Sequence, residues 1–315
     1  MKRLSSAVPL KQIEAKLGKI IGEDLPVLKK IKKYVIGSGG KRIRPLTHFY
    51  TLKMLGSDNK QWVDVGAIGE LIHNASLLHD DVVDRSDLRR GKPSAPVLFG
   101  NKTVVLAGDY LLACGLNHLS TLEQSRELLV IFSRTIRLLS SGELIQMEWE
   151  GNLKTTTKTY ERVIYCKTGC LFGAMTESAA LLAKKSPKEI AAYKQFGERL
   201  GRYFQIRDDY IDYFSDAKDT GKTEMQDYER GLITWPVLGL FEAGGSRARG
   251  AIKRIWKDRP GNLPQMLSLI NEFQLKSKLR NVLKNELNEL IAFVEKHPDS
   301  AYRDTLTSTL ETLRL

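Results

Sequence analysis

The sequence predicts an all-α, single-domain protein spanning residues 1–315. Three observations carry this. Apolar residues recur at three- and four-residue spacing through nearly every long segment. Strand signals are nearly absent, with no Asn-Gly or Asp-Gly turn between alternating apolar runs. No stretch of shifted composition marks a linker. A hydrophobic content of 42%, a charged content of 27% and a mean hydropathy of −0.28 exclude a disordered chain, a disulfide-stapled miniprotein and a polytopic membrane protein.

The elements follow in order. Residues 10–36 carry Leu10, Ile13, Leu17, Ile20, Ile21, Leu25, Leu28 and Ile31 at helical spacing, and Gly37-Ser38-Gly39-Gly40 breaks the pattern. Pro45 stands early in the next helix, where proline is tolerated. Residues 61–84 read as one long helix, and Arg89 to Pro96 as a loop. Further helices are predicted at 102–119, 123–150, 158–183, 187–216, 234–243, 263–272 and 274–296. Residues 243–250 and 257–264 read as surface loops.

Cys114, Cys166 and Cys170 are an odd set without zinc or disulfide spacing, so they read as buried thiols in a reducing cytosol. No run reaches the ~18 apolar residues of a membrane span, and the basic start MKRLSSAVPL lacks an apolar signal core. Cytoplasmic localisation is the expectation. The net charge of +12 suits nucleic acid, an anionic membrane or a polyanionic small substrate. Neither a helix-turn-helix nor interleaved aromatics accompany the basic residues, so nucleic acid is set aside.

Chemistry concentrates in two acidic clusters. In Asp80-Asp81-Val82-Val83-Asp84, Asp80 and Asp84 are one turn apart, at roughly 40° on one helix face. Like charges so close repel, which disfavours them unless a cation binds. Asp208-Asp209-Tyr210-Ile211-Asp212 repeats the spacing at another helix end. Two such faces form a cavity of carboxylates if they meet. Oxygen-only ligands suit Mg²⁺, with Mn²⁺ able to substitute, and bridging metals bind a diphosphate. The basic residues match: Lys41, Arg42 and Arg44 follow a glycine-rich turn, Arg89, Arg90 and Lys92 follow the first acidic cluster, and Lys167-Thr168 and Gly221-Lys222 add more.

The chain resembles the trans-type polyprenyl diphosphate synthases. The resemblance rests on Gly-Gly-Lys-Arg-Ile-Arg-Pro at 39–45, on His73 through Asp84, and on Arg89-Arg90-Gly91-Lys92-Pro93-Ser94. It continues through Ala107-Gly108-Asp109, Gly142-Glu143, Lys167-Thr168, Phe204 through Asp212, Gly221-Lys222 and Asp227. It implies a helical bundle around a deep central cavity, a homodimer, and Mg²⁺-dependent condensation of isopentenyl diphosphate with an allylic diphosphate. Asp80 and Asp84 are then the metal ligands for the allylic diphosphate, supported by Asp81. Asp208 takes a further metal, with Asp209 and Asp212 nearby. Lys41, Arg44, His73 and Arg90 are implied to hold isopentenyl diphosphate. Arg89, Lys167, Thr168, Gln205 and Lys222 are implied to surround the allylic diphosphate. His79 reads as structural.

One departure concerns the segment after the second cluster, where the family often carries a lysine. Here Gly231-Leu232-Ile233-Thr234-Trp235-Pro236 has Leu232, which cannot donate to phosphate, and Arg230 is the candidate substitute. Residues 216–231 are the candidate lid over a reactive cation. The residues one turn before Asp80 are Ala75 and Ser76; both are small, where family members with bulky aromatics stop growth early. Ile68, Leu71, Ile72, Leu111 and Leu112 are expected to line a tunnel, with Phe132 as its floor. The expected product is long, roughly six to eight isoprene units, as for a quinone side chain, at one unit per ~5.4 Å helical turn. The alternatives are a short-chain farnesyl or geranylgeranyl diphosphate synthase, a terpene cyclase and a non-catalytic partner subunit; the intact aspartate clusters weigh against the last two. The product is expected to pass to membrane enzymes.

Overall fold

The computed structural model describes residues 7–22, 25–37, 42–214 and 225–315. Lys41, Lys222 and most of the candidate lid lie outside the described residues. The helices are α1 (Ala7–Ile21), α2 (Pro26–Gly37), α3 (Ile43–Met54), α4 (Trp62–Val83), α5 (Ala95–Phe99), α6 (Asn101–Leu119) and α7 (Ser125–Trp149). There follow α8 (Thr157–Ile164), a π-helical turn (Tyr165–Gly169), α9 (Cys170–Leu182) and α10 (Pro187–Phe214). The chain ends with α11 (Gln226–Arg230), α12 (Trp235–Ile255), α13 (Leu263–Glu272), α14 (Leu275–Glu295) and α15 (Ala301–Glu311).

The all-α prediction holds, and two helices explain the bundle's form. α9 is buried from Cys170 through Ala180, and α4 from Trp62 to Ile72 save Val63. A helix apolar on every face belongs in the interior. α4 packs with α1, α2, α6 and α7 around one apolar cluster, while α8, α10 and the C-terminal helices form another. α9 supplies side chains to both, and Phe49 packs against both. α10 runs close against α9 because glycines face it. A Cβ on Gly197 would lie 2.4 Å from the Phe172 carbonyl oxygen, and one on Gly201 would lie 2.7 Å from the Gly169 Cα. That approach brings α10 onto the π turn.

Several boundaries differ from expectation. Segment 10–36 is two helices; Leu25, read as part of the apolar stripe, is 55% exposed, and Pro26 opens the second helix, where its missing N–H costs nothing. The loop at 89–96 contains a two-residue antiparallel ladder, Leu88–Arg89 against Lys92–Pro93, and leads into α5. Arg90 and Gly91 have φ of 54° and 73° there, both positive as tight hairpin turns demand. The segment 158–183 is divided by the π turn. The loop expected at 243–250 is helix instead: α12 kinks at Gly245 (φ 51°, ψ −133°) and continues to Ile255. Residues 257–264 hold two 3₁₀ turns, Trp256–Asp258 and Pro260–Asn262, rather than open loop. α15 was not foreseen; Ser300 starts it by accepting the Arg303 N–H on its hydroxyl at 3.1 Å.

Candidate active site

The first acidic cluster closes α4. Asp84 is the residue after the last helical one, and its N–H donates to the Asp80 carbonyl at 2.8 Å. Burial pushes the Asp80 carboxyl up to about 6; Lys167 opposes the shift, while Glu143 and Asp84 add to it. Asp81 points elsewhere. It is 2% exposed and receives the Arg89 guanidinium, with Nε at 2.8 Å. Arg89 is therefore engaged with Asp81 rather than open toward a diphosphate. The ion pair fixes the hairpin of residues 88–93 against the end of α4.

The first basic motif splits by direction. Arg42 turns inward to Glu70 at 2.5 Å and to the Ile36 carbonyl at 3.1 Å. Arg44 points to His73, whose Nε2 lies 3.1 Å from Nη1, and stacks over the Phe172 ring at 4.8 Å. Its buried Nε has no hydrogen-bond partner among the described residues. Burial, then Arg44, Arg90, Arg42 and Arg89, drive His73 well below its ordinary value, so the ring is neutral. With Arg42 paired to Glu70 and Arg89 to Asp81, the neutral imidazole beside the Arg44 guanidinium leaves a positive wall suited to an anion.

The second acidic cluster ends α10, and its three members differ. Asp208 is about half exposed, with Arg207 at 3.8 Å. Asp212 accepts the N–H groups of Gln226 at 3.2 Å and Asp227 at 3.1 Å, which caps α11. Asp209 is buried, accepts Tyr160 and Gln205, and is shifted upward by that burial.

The π turn carries Lys167 and Thr168. Such turns insert one extra residue and re-aim neighbouring side chains, often at functional sites. Lys167 pairs with Glu143 at 2.5 Å and donates to Gln146 at 3.0 Å. Thr168 donates to Gln205 at 2.8 Å. Gln146 and Tyr160 were missed in the sequence. Gln146 lies three residues after Glu143, on the same helix face, which is the signal that could have found it.

Two cavities meet at Lys167. One, of about 270 Å³, carries the charged groups Asp84, Lys167, Asp209, Asp227 and Arg230, with Gln146 and Gln205, on a lining that also includes Trp149, Val163, Ile164 and Ile233. The other, of about 300 Å³, begins at Asp80, Glu143 and Lys167 and runs between apolar walls of Ile72, Leu112, Ile136 and Leu139. Ser76 lines it. Ala75 does not: it is fully buried in the α4 packing, as are Ile68, Leu71 and Leu111. Phe132 is likewise fully buried in the core, one turn before the wall residue Ile136. His79, expected to be structural, joins the wall and lies 3.4 Å from Asp109.

The donor set fits Mg²⁺. Among the described residues no three His, Cys, Asp or Glu side chains converge on one point. Mg²⁺ does not require that, since it keeps waters and binds through one or two carboxylates together with substrate phosphates. Asp80 with Asp84, and the exposed Asp208, supply such partial oxygen sites.

Comparison with known proteins gives concordant matches. The Polyprenyl synthetase family model matches residues 25–273. The octaprenyl diphosphate synthase of Escherichia coli (strain K12) is 32% identical over 288 residues, covering 91% of this chain and 89% of that protein. The heptaprenyl diphosphate synthase of Staphylococcus aureus superposes with a TM-score of 0.90 at 29% identity, covering 99% and 98% of the two chains. A polyprenyl synthase from Caulobacter crescentus CB15, solved with calcium and isoprenyl diphosphate, gives a TM-score of 0.88 at 27% identity over 98% and 96%.

Proposed function

The chain belongs to the polyprenyl synthetase family and is a prenyltransferase, and from that premise we propose how its residues divide the reaction and how long a product they allow. The substrates are isopentenyl diphosphate and an allylic diphosphate, and the product is a long polyprenyl diphosphate of about C30–C40 for quinone side chains. The observation that carries the reading is the border at Lys167. On one side lies a cavity that carries carboxylates and cations; on the other lies one whose walls are mainly apolar. A diphosphate head and a hydrocarbon tail need that arrangement.

Asp80, Asp84 and Asp208 would hold Mg²⁺, with Mn²⁺ as a substitute. Bound there, the metal neutralises the diphosphate leaving group. Lys167 and Gln205, which line the charged cavity, then orient the allylic diphosphate, and Thr168 holds Gln205 in place. As the C–O bond breaks, Lys167 faces the departing negative charge while the allylic cation forms toward the apolar side. Arg44 and His73, with Lys41 and Arg90, hold isopentenyl diphosphate so that its double bond meets the cation. A proton then leaves to the released diphosphate.

Length is supported by the apolar cavity. Ser76, on the cavity wall one turn before Asp80, is small, and Leu144 and Met147, which also line the cavity, are 67% and 53% exposed. These residues, with Leu106 on α6 and Val130 on α7, are exposed apolar groups that a homodimer would cover. No described helix is long and apolar enough to cross a membrane, and action in the cytoplasm with transfer of product to membrane enzymes is part of the proposal. The test is purified protein with Mg²⁺, labelled isopentenyl diphosphate and a series of allylic primers. Products of six to eight isoprene units are expected. Only farnesyl or geranylgeranyl diphosphate under excess isopentenyl diphosphate would leave the short-chain alternative standing.

A further inference from the structure

Asp209 has partners unlike those of the other carboxylates in its cluster. Its Oδ2 accepts the Tyr160 hydroxyl at 2.5 Å and faces the Trp235 N–H at 3.5 Å. Its Oδ1 accepts the Gln205 amide at 3.0 Å, and the Gln205 carbonyl accepts the Thr168 hydroxyl at 2.8 Å. The chain Thr168–Gln205–Asp209–Tyr160 thus joins the π turn, α10 and α8, and touches the first residue of α12. Both oxygens of a carboxylate 2% exposed are committed to neutral donors. Neutral donors satisfy the buried group without cancelling its charge.

We propose that Tyr160 is a positioning residue for the condensation: its hydroxyl fixes Asp209 as the joint that sets the spacing between the Lys167–Thr168 turn and the metal-holding Asp208. This rests on the assignment of Asp208 to Mg²⁺ made above. Without the hydroxyl, Oδ2 retains, among the described residues, the 3.5 Å contact to Trp235. The carboxylate is then free to rotate about its last torsion, and Gln205 loses the acceptor that holds its amide. Thr168, one residue from Lys167, loses its fixed partner in turn. Tyr160 is 4% exposed and packed on the core, so loss of one oxygen leaves the ring in place.

The test is Tyr160→Phe, read by calorimetric binding of inorganic pyrophosphate with Mg²⁺, by kcat and both KM values, and by the thermal midpoint. Pyrophosphate affinity is expected to fall about fivefold and kcat about tenfold, with KM for isopentenyl diphosphate within about twofold, since Arg44 and His73 lie on another wall. Thr168→Val, at the far end of the same chain, should give the same pattern. The double variant should lose little more than the worse single one, as residues of one network do. Binding and kcat within twofold of the wild type in Tyr160→Phe overturn the proposal, and so do additive losses in the double variant. Wild-type protein that binds no pyrophosphate with Mg²⁺ overturns the Asp208 assignment and this proposal with it. Normal wild-type binding beside an indifferent Tyr160→Phe overturns this proposal alone.

Discussion

Arg230 reaches Asp84 across 146 residues of sequence: its Nη1 lies 3.4 Å from Oδ2. The contact ties α11 to the end of α4 at the charged cavity that both residues line. Leu232 lies in the same wall and brings no charge. Arg230 is thus the cation available at the place where the sequence lacks the family's lysine.

Arg230→Gln should lower kcat/KM for the allylic substrate about tenfold, because a guanidinium at the cavity mouth meets the diphosphate. The pair is solvent-exposed, so stability should change by less than about 1 kcal/mol. Adding Leu232→Lys should restore part of the loss. Steady-state kinetics on both variants check this, and an unchanged kcat/KM in Arg230→Gln removes the residue from substrate binding.

Asp80→Ala and Asp208→Ala should each cost at least ~10² in kcat with helical content retained. Excess EDTA should stop turnover of the wild type. Circular dichroism and a labelled-substrate assay separate these outcomes from misfolding. Turnover persisting in EDTA would remove metal from the reading.

Ser76→Phe should shorten the product while isopentenyl consumption continues, since Ser76 faces the apolar cavity. Ala75→Phe should act differently. Ala75 is fully buried, so the ring must displace packed neighbours at a cost of roughly 1–3 kcal/mol. Chromatography of products together with thermal melts distinguishes them. A shortened product from Ala75→Phe at normal stability would show that the core there opens to substrate.

His48 gives a pH dependence of stability. It is fully buried, its Nδ1–H donates to the Met175 carbonyl at 2.8 Å, and burial lowers it to about 4. The unfolded chain binds a proton near pH 6.5 that the folded chain refuses until about 4. Stability therefore rises with pH between those values and levels above them, by an amount on the order of 3 kcal/mol. Urea unfolding from pH 4.5 to 7 should show the slope, and His48→Gln should flatten it. An unaltered slope in the variant would assign the effect to other groups.

Arg44→Ala and His73→Ala should chiefly raise KM for isopentenyl diphosphate. Arg89→Ala should chiefly destabilise, because it leaves Asp81 buried without its guanidinium partner. Kinetics and denaturant midpoints for the three variants test that division. Equal effects on both substrates without loss of stability in Arg89→Ala would return Arg89 to the diphosphate site.

The acidic clusters and the long helices were legible because their signals are periodic and local. Asp80 and Asp84 come together by spacing alone. The direction of Asp81 was not legible, since it depends on Arg89 arriving from a hairpin whose turn lacks the usual Asn-Gly. The π turn at Tyr165–Gly169 leaves helical periodicity almost unchanged while altering where Lys167 points. Gly244-Gly245 reads as a loop from composition, yet the flanking packing of Phe241 and Ala248 carries α12 through it. How far the apolar cavity runs was not legible, because aromatic size says nothing about which residue of α7 closes it; Phe132 is fully buried one turn from the wall residue Ile136.

Lys167 lines both cavities, and on the proposed assignment this fixes the frame in which the product is counted. After every condensation the new diphosphate must sit again on the polar side of that lysine, so the tail advances by one isoprene unit past a stationary mark. The enzyme needs no timer and no memory of cycles completed. It measures a distance, and a substitution that moves the far wall resets the count without touching the chemistry at the mark.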